Sequence, residues 1–213
     1  MPDERRLATL QPPLSADFFT MSAAAADHLP IIAATRRWLE KAVIGLNLCP
    51  FAKSVHVKGQ IRYVVSEARD KEALLTDLET ELAALCAASP EAVDTTLLIH
   101  PYVLADFDDF VRFLDLVDVV LKVHRYLGVL QVASFHPQYV FADSEADDVS
   151  NCSNRSPYPT LHLLREASLD RAVTAFPDAA TIYEANRRTL RQLGADGWHA
   201  LAVDAPDDDR LPA

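Results

Sequence analysis

Glycine and cysteine are scarce in this chain, and each shortage excludes a kind of chemistry. Five glycines in 213 residues, none in a Gly-rich repeat, leave no loop to wrap a phosphate, so the P-loop and dinucleotide-binding readings fail. The three cysteines, Cys49, Cys86 and Cys152, are odd in number and contain no Cys-x-x-Cys pair. Neither a disulfide framework nor a cysteine zinc site is indicated, and free thiols follow. Basic charge is short as well, 20 Lys+Arg against 31 Asp+Glu for a net −11. A phosphate-backbone footprint needs a basic face, so nucleic acid is not an expected partner, and the same charge repels anionic membrane surfaces. No stretch reaches the roughly 18 apolar residues of a membrane span. No hydrophobic signal region stands behind Met1-Pro-Asp-Glu-Arg-Arg, so the expected location is cytoplasmic. There is no His-Glu-x-x-His helix and no Gly-x-Ser-x-Gly elbow.

What is present is the balance of an ordinary globular protein, half apolar and about a quarter charged. The chain is long enough for one domain with a generous core. Residues 1–29, with Pro12-Pro13 and the alanine run Ala23 to Ala26, read as an N-terminal arm, and the acidic residues 204–213 read as a tail. Between them, 30–203 form a single α/β domain. Ile32, Leu39, Val43 and Leu46 recur at helical spacing, which predicts a helix from Ile31 to Asn47 before Pro50. Ile61 to Val65 reads as a strand. Leu75, Leu78, Leu82 and Leu85 stripe a second helix, with Cys86 beside the stripe and expected in the core. Thr95 to Ile99 is a buried strand; Phe107, Phe110, Leu114, Val117 and Leu121 mark a third helix capped by Asp106; Val129 to Phe135 is a third strand. That order predicts a sandwich with a small, mostly parallel sheet. Extra helices follow at 159–166, 169–176 and 181–193, with Thr181 and Glu184 at capping-box spacing and Gly194 as a terminator.

Three features carry candidate chemistry. Strands two and three end in the same dipeptide, His100-Pro101 and His136-Pro137. Parallel strands would bring both imidazoles to the carboxyl edge where open α/β sheets bind ligands, and there an imidazole serves as base, acid or metal ligand. The plainer reading is a strand-end cap with a proline that stops the ladder.

The second feature is the polar run Asn151 to Pro159, continuing into Thr160 to Glu166. On a helix, His162, Arg165 and Glu166 share a face. Arg155 and Arg165 then have the fork geometry to clamp a carboxylate or phosphate, with Asn154, Ser156 and Tyr158 as directional groups beside them. Against this stands an ordinary solvated face, which is commoner. The third is Cys49, between a helix and the Pro50 turn, read either as an accessible thiol or as a small core hydrophobe. His56, His124 and His199 have no ligand-like spacing.

The strings Leu46-Asn-Leu-Cys-Pro-Phe-Ala52, Phe135-His-Pro-Gln-Tyr-Val-Phe141 and Asn154 to Glu166 resemble those of the bacterial domain-of-unknown-function 1415 family over roughly residues 35–193. The resemblance implies a bacterial cytoplasmic protein and transfers no activity. It places Tyr139 among the candidate positions.

The functional expectation is an enzyme acting on a small anionic substrate. His136, Cys49, His162 and Glu166 are its candidate catalytic groups, and Asn154, Arg155, Ser156, Tyr158, Arg165, Tyr139 and His100 its candidate binding groups. A zinc or iron ion held by His136, His162 and a carboxylate or Cys49 is a variant of the same reading. The alternatives are an anion- or metabolite-binding module without catalysis, and a protein-interaction domain.

Overall fold

The computed structural model describes residues 23–175 and 181–204; residues 1–22 of the arm, residue 176 of the second C-terminal helix and residues 205–213 of the tail lie outside them. Helix α1 spans Ala23–Trp38 and runs on into a π-helical stretch, Leu39–Ile44. The helix therefore starts inside the segment read as an arm. Alanine has the highest helix propensity, and the helix accommodates Pro30 at the cost of one backbone hydrogen bond. After a turn with Asn47 at φ 54 comes α2, Ala52–Val57, then β1, Ile61–Val65. Helix α3 is Lys71–Ala87, β2 Thr95–Ile99, α4 Phe107–Val123 and β3 Leu130–Phe135. Asp70 and Asp106 cap α3 and α4 by accepting from the backbone N–H groups of Ala73 and Asp109.

A loop with a short 3-10 helix, Val149–Ser153, leads to β4, Thr160–Arg165. Helices α5, Glu166–Ala175, and α6, Ile182–Ala200, complete the described chain. Thr181 precedes α6 without a side-chain capping bond. Gly194 interrupts the helical backbone at φ 72, ψ 171, so it kinks α6 rather than ending it.

The four strands form one sheet in the order β1-β2-β4-β3. Strand β1 pairs parallel with β2, while β4 runs antiparallel to both β2 and β3. The sheet is thus mixed, which corrects the expectation of a mostly parallel one. The cause is a single segment: residues 159–166, expected as a helix, form the central β4. Leu161 and Leu163 are fully buried. On a helix, side chains two apart diverge by about 200°, whereas on a strand they share a face. Strand geometry buries both leucines in one core, at roughly 1.5–3 kcal/mol each relative to exposure.

That core lies on the sheet face covered by α3 and α4, where Leu98, Leu130, Leu161 and Leu163 meet Leu78, Leu82, Phe110 and Phe113. On the other face, α1 and the π-helical stretch pack with Tyr63, Phe135, Leu190 and Trp198, and Ile31 and Ala34 pack with Val65 and Ile99. Cys86 is exposed, not a core residue, because the buried stripe of α3 runs through Leu74, Leu78, Leu82 and Leu85 and leaves position 86 on its outer side. No described helix is long and apolar enough to cross a membrane.

Candidate functional site

The open part of the second sheet face forms a cleft of about 630 Å³. Its floor is the sheet itself, with Leu97 of β2, Ala133 and Phe135 of β3 and His162 of β4; Trp38, Cys49 and Phe51 stand along one wall. Local sequence makes the opening. The π-helical stretch ends at Gly45, where a Cβ would strike the Lys41 carbonyl, and the chain then reverses through Asn47 to present Cys49 and Pro50. Helix α5, starting directly from β4, supplies Leu169, Arg171 and Ala172 to the cleft.

His162 sits at the centre of that floor, paired across the sheet with Leu97 and Ala133. Its Nε2 lies 2.7 Å from the Thr95 hydroxyl, which is also 2.7 Å from the Leu163 carbonyl. A hydroxyl has one proton; donating it to the carbonyl makes the Thr95 oxygen an acceptor, so Nε2 of His162 carries the imidazole proton. Nδ1 is then a bare lone pair, without a hydrogen-bond partner among the described residues. Burial pushes the imidazole pKa down to about 4, so the ring is neutral at neutral pH. Cys49 is half-buried; burial raises its thiol pKa, only partly offset by the backbone N–H groups of Phe51 and Ala52. The thiol is accordingly protonated rather than a standing thiolate.

Exposed Lys58 and Arg171 line the cleft, as do Glu91 and Asp94. The Ser168 hydroxyl donates to Asp94 at 2.6 Å and accepts from Arg171 at 3.0 Å.

Arg165 reaches the same cleft from the far end of β4, but its guanidinium is engaged. It donates to the carbonyls of Leu85 at 2.5 Å, Ala88 at 2.6 Å and Val93 at 3.1 Å, closing the C-terminus of α3. His162 and Arg165 do not share a helical face, because both lie on a strand. Glu166 opens α5, and its backbone N–H bonds the Val129 carbonyl.

His100 and His136 do leave the sheet at one edge, since β2 and β3 point the same way on either side of β4. Both rings stack on Phe110, at 5.7 and 5.0 Å between centroids. His136 donates from Nε2 to the Leu104 carbonyl and accepts at Nδ1 from the Gln138 N–H, so neither nitrogen is left over. Burial lowers its pKa. His100, fully buried, bonds the Val103 carbonyl through Nδ1; its Nε2 has no partner, and burial holds the ring at about 4. These imidazoles lie beneath α4, whereas His162 faces the cleft on the other side of the sheet.

The polar run of the 136–158 loop is largely knitted to itself. Arg155 donates to the carbonyls of Tyr139 and Ala146, and Ser156 to that of Tyr158. Asn151 takes the Phe141 N–H and the Ser144 hydroxyl. Asn154 receives the His136 N–H on its carbonyl and donates its side-chain amide to Ser134. Tyr139 packs against Phe107 and Phe141, and Tyr158 is buried against α1. Arg155, Ser156 and Cys152 do border a second cavity of about 460 Å³, beside Trp198 and His199.

The structure therefore brings Cys49, His162 and Arg165 to one cleft and leaves His100, His136, Arg155 and Asn154 outside it. Sequence reasoning did not find Thr95, Lys58 or Arg171. A pair of threonines opening an otherwise apolar strand was the one signal for Thr95. Among the described residues no group of three or more His, Cys, Asp or Glu is placed to hold a metal ion.

A family model described as a protein of unknown function, DUF1415, matches residues 30–200. No curated protein and no solved structure matches the chain.

Proposed function

The chain belongs to the DUF1415 family of proteins of unknown function, and from the cleft itself we propose that it binds a small molecule with an apolar body and an anionic end. The carrying observation is His162: a neutral imidazole on an apolar floor, its tautomer set by Thr95 and its Nδ1 lone pair unengaged. Small-molecule sites have this composition, mostly apolar walls with a few placed polar groups. Leu97, Phe135, Leu169 and Trp38 would hold the body of the ligand, and Nδ1 would accept a hydrogen bond from its hydroxyl or amide. Lys58 and Arg171 offer cations to an acidic end, while of the two carboxylates in the same lining, Glu91 and Asp94, the second is held by Ser168. In this reading Arg155, Arg165 and His136 hold the frame around the cleft and the ligand touches none of their charged or ring nitrogens.

The test is a panel of small aliphatic and aromatic carboxylates with matched amines, read by thermal shift and by the fluorescence of Trp38. Carboxylates should bind and amines should not, and His162→Ala should weaken binding by about tenfold or more, the worth of one good hydrogen bond to a buried site. Equal binding by wild type and His162→Ala, in a variant with unchanged circular dichroism, would remove the proposal.

A second reading, an enzyme acting on the same anion, is favoured by one observation: Cys49 and His162 line one cleft. The thiol, protonated in the empty site, would pass its proton to Nδ1 as its sulfur bonds the acyl carbon of an ester or amide, the carbonyl π pair moving to oxygen; when that pair returns, the alcohol or amine leaves with the proton of the imidazolium. Turnover of a bound carboxylate derivative that disappears in both Cys49→Ser and His162→Ala supports it; binding without turnover leaves the binding protein.

A further inference from the structure

We propose that the outer face of helix α4 is a self-association surface, on which a second copy of this chain packs its own α4 in the opposite direction across a two-fold axis. Helix α4 turns Phe110, Phe113, Val117 and Leu121 into the core. A helix with nothing else to cover is polar on its remaining face. This one is not, because Leu116, Val119 and Val123 are 42%, 53% and 69% exposed. Spaced three and four residues apart, they lie within about 60° of one another around the helix and make one continuous apolar stripe toward solvent. Arg112, one turn before Leu116, extends that line with its aliphatic stem while Asp109 holds its guanidinium at 2.8 Å.

The charges beside the stripe fit a second copy. Asp115 and Lys122 stand seven residues apart, two helical turns, on the same flank of the stripe. Neither side chain makes an ion pair or hydrogen bond among the described residues. In an antiparallel pair Leu116 of one copy meets Val119 of the other, and Val123 meets the Arg112 stem. The axis then passes between Val117 and Asp118 of each helix and sets Asp115 of each copy opposite Lys122 of the other. One geometry closes both ion pairs. A parallel pair puts Asp115 beside Val120, which faces the core, and forms neither.

The polarity of the helix agrees. Its first turn carries Asp108 and Asp109, while Lys122 and Arg125 stand at its far end, so opposed helices bring acidic start to basic finish and set their dipoles against each other. The charges fix direction and register, and the apolar stripe supplies the attraction.

The ends of the chain leave from elsewhere. Residues 1–22 lead into α1, and residues 205–213 follow Asp204, whose carbonyl accepts from Arg37 of α1 at 3.4 Å. Helix α1 covers the sheet face opposite α4. An anionic membrane surface repels a chain of net charge −11. An isologous contact of this kind closes on itself and makes a dimer, not a fibre. The ligand cleft opens on the other side of the sheet, so each copy keeps its own.

The experiment is sedimentation equilibrium of the full chain, with circular dichroism as the control for folding. Wild type should run at twice the chain mass at about 100 μM. Val119→Glu, at an exposed position, puts a charge from each copy into the seam and should leave folded monomer. Asp115→Lys and Lys122→Asp, each alone, set like charges opposite one another twice and should weaken the dimer about tenfold or more. The double exchange, Asp115→Lys with Lys122→Asp, should return it to within about threefold of wild type, because both pairs form again with their signs reversed. A monomeric wild type at that concentration overturns the proposal and gives the face to another occupant. A dimer that survives Val119→Glu overturns it as well, and so does a double exchange no tighter than the single ones. Should Val119→Glu lose its helical signal, the exchange series decides.

Discussion

Three thiols with different surroundings give a residue-scale test of how the cleft is poised. Cys86 is exposed on α3, Cys49 is half-buried in the cleft wall and Cys152 is buried within the 3-10 helix. Burial raises the pKa of both Cys49 and Cys152, Arg155 offsetting part of it at Cys152. The thiolate is the reactive form, so iodoacetamide at pH 8 should modify Cys86 first, Cys49 more slowly and Cys152 last, as read by peptide mass mapping over time. Modification of Cys49 ahead of Cys86 would mean that its thiol is activated in the empty protein, which the desolvated wall does not predict. At this scale the sequence singled out Cys49 and His162, which the fold brings to one cleft, but it had no access to the Thr95 hydroxyl. That partner comes from cross-strand pairing of residues 67 positions apart.

At the scale of elements, β4 is where local pattern and tertiary demand part. His162 and Arg165 of β4 and Glu166 just after it stand at helical spacing, and that spacing is meaningless once the strand is seated between β2 and β3. Arg165 then serves as a peg, its guanidinium bonded to three carbonyls that end α3 and its following loop. Arg165→Ala should cost about 2 kcal/mol or more, since a hydrogen bond to a charged group is worth roughly 1.5–3 kcal/mol and buried carbonyls lose their donor; the urea midpoint measures it. A loss under about 0.5 kcal/mol would show that the guanidinium is free enough to serve a ligand. Gly194 makes a second element-scale test. Its φ of 72 with ψ 171 lies in a region essentially restricted to glycine, so Gly194→Ala should destabilise by about 1–3 kcal/mol through backbone strain, with nothing within 4 Å of the added Cβ to blame instead.

The whole molecule carries buried imidazoles on both sides of its sheet. His100 and His162 titrate at about 4, against 6.5 in the unfolded chain, and His136 is also lowered. Burial is the leading cause in each case. Between pH 6.5 and about 4 the unfolded chain takes up protons that the folded one refuses, so stability falls as pH falls through that window and is complete above it. His100, fully buried, contributes on the order of 3 kcal/mol to that loss, and His162, half-buried on the cleft floor, adds to it in the same direction. Urea midpoints measured from pH 7.5 to pH 4.5 should therefore decline steeply on the acid side. A flat profile would show that the imidazoles are solvated or already charged.

The mixed α/β class, the positions of the first three strands, the cap at Asp106 and the convergence of His100 with His136 follow from local pattern and chain order. Each depends on near neighbours or on strand direction alone: Asp106 caps the next turn of backbone, and two parallel strands ending in His-Pro must deliver both rings to one edge. Whether those rings were available to a ligand did not follow. Phe110 from α4 and the Leu104 carbonyl decide that, and both arrive from other parts of the chain. The density of polar groups in the 151–158 segment was plain in the sequence, but its meaning was not. Asn, Ser and Arg side chains answer backbone carbonyls and N–H groups as readily as ligands, and only the folded loop shows which of them they meet. The cleft itself belongs to the tertiary structure entirely, because it exists where β4 enters the sheet, and the residues that specify β4 as a strand are the leucines it buries rather than the histidine it displays.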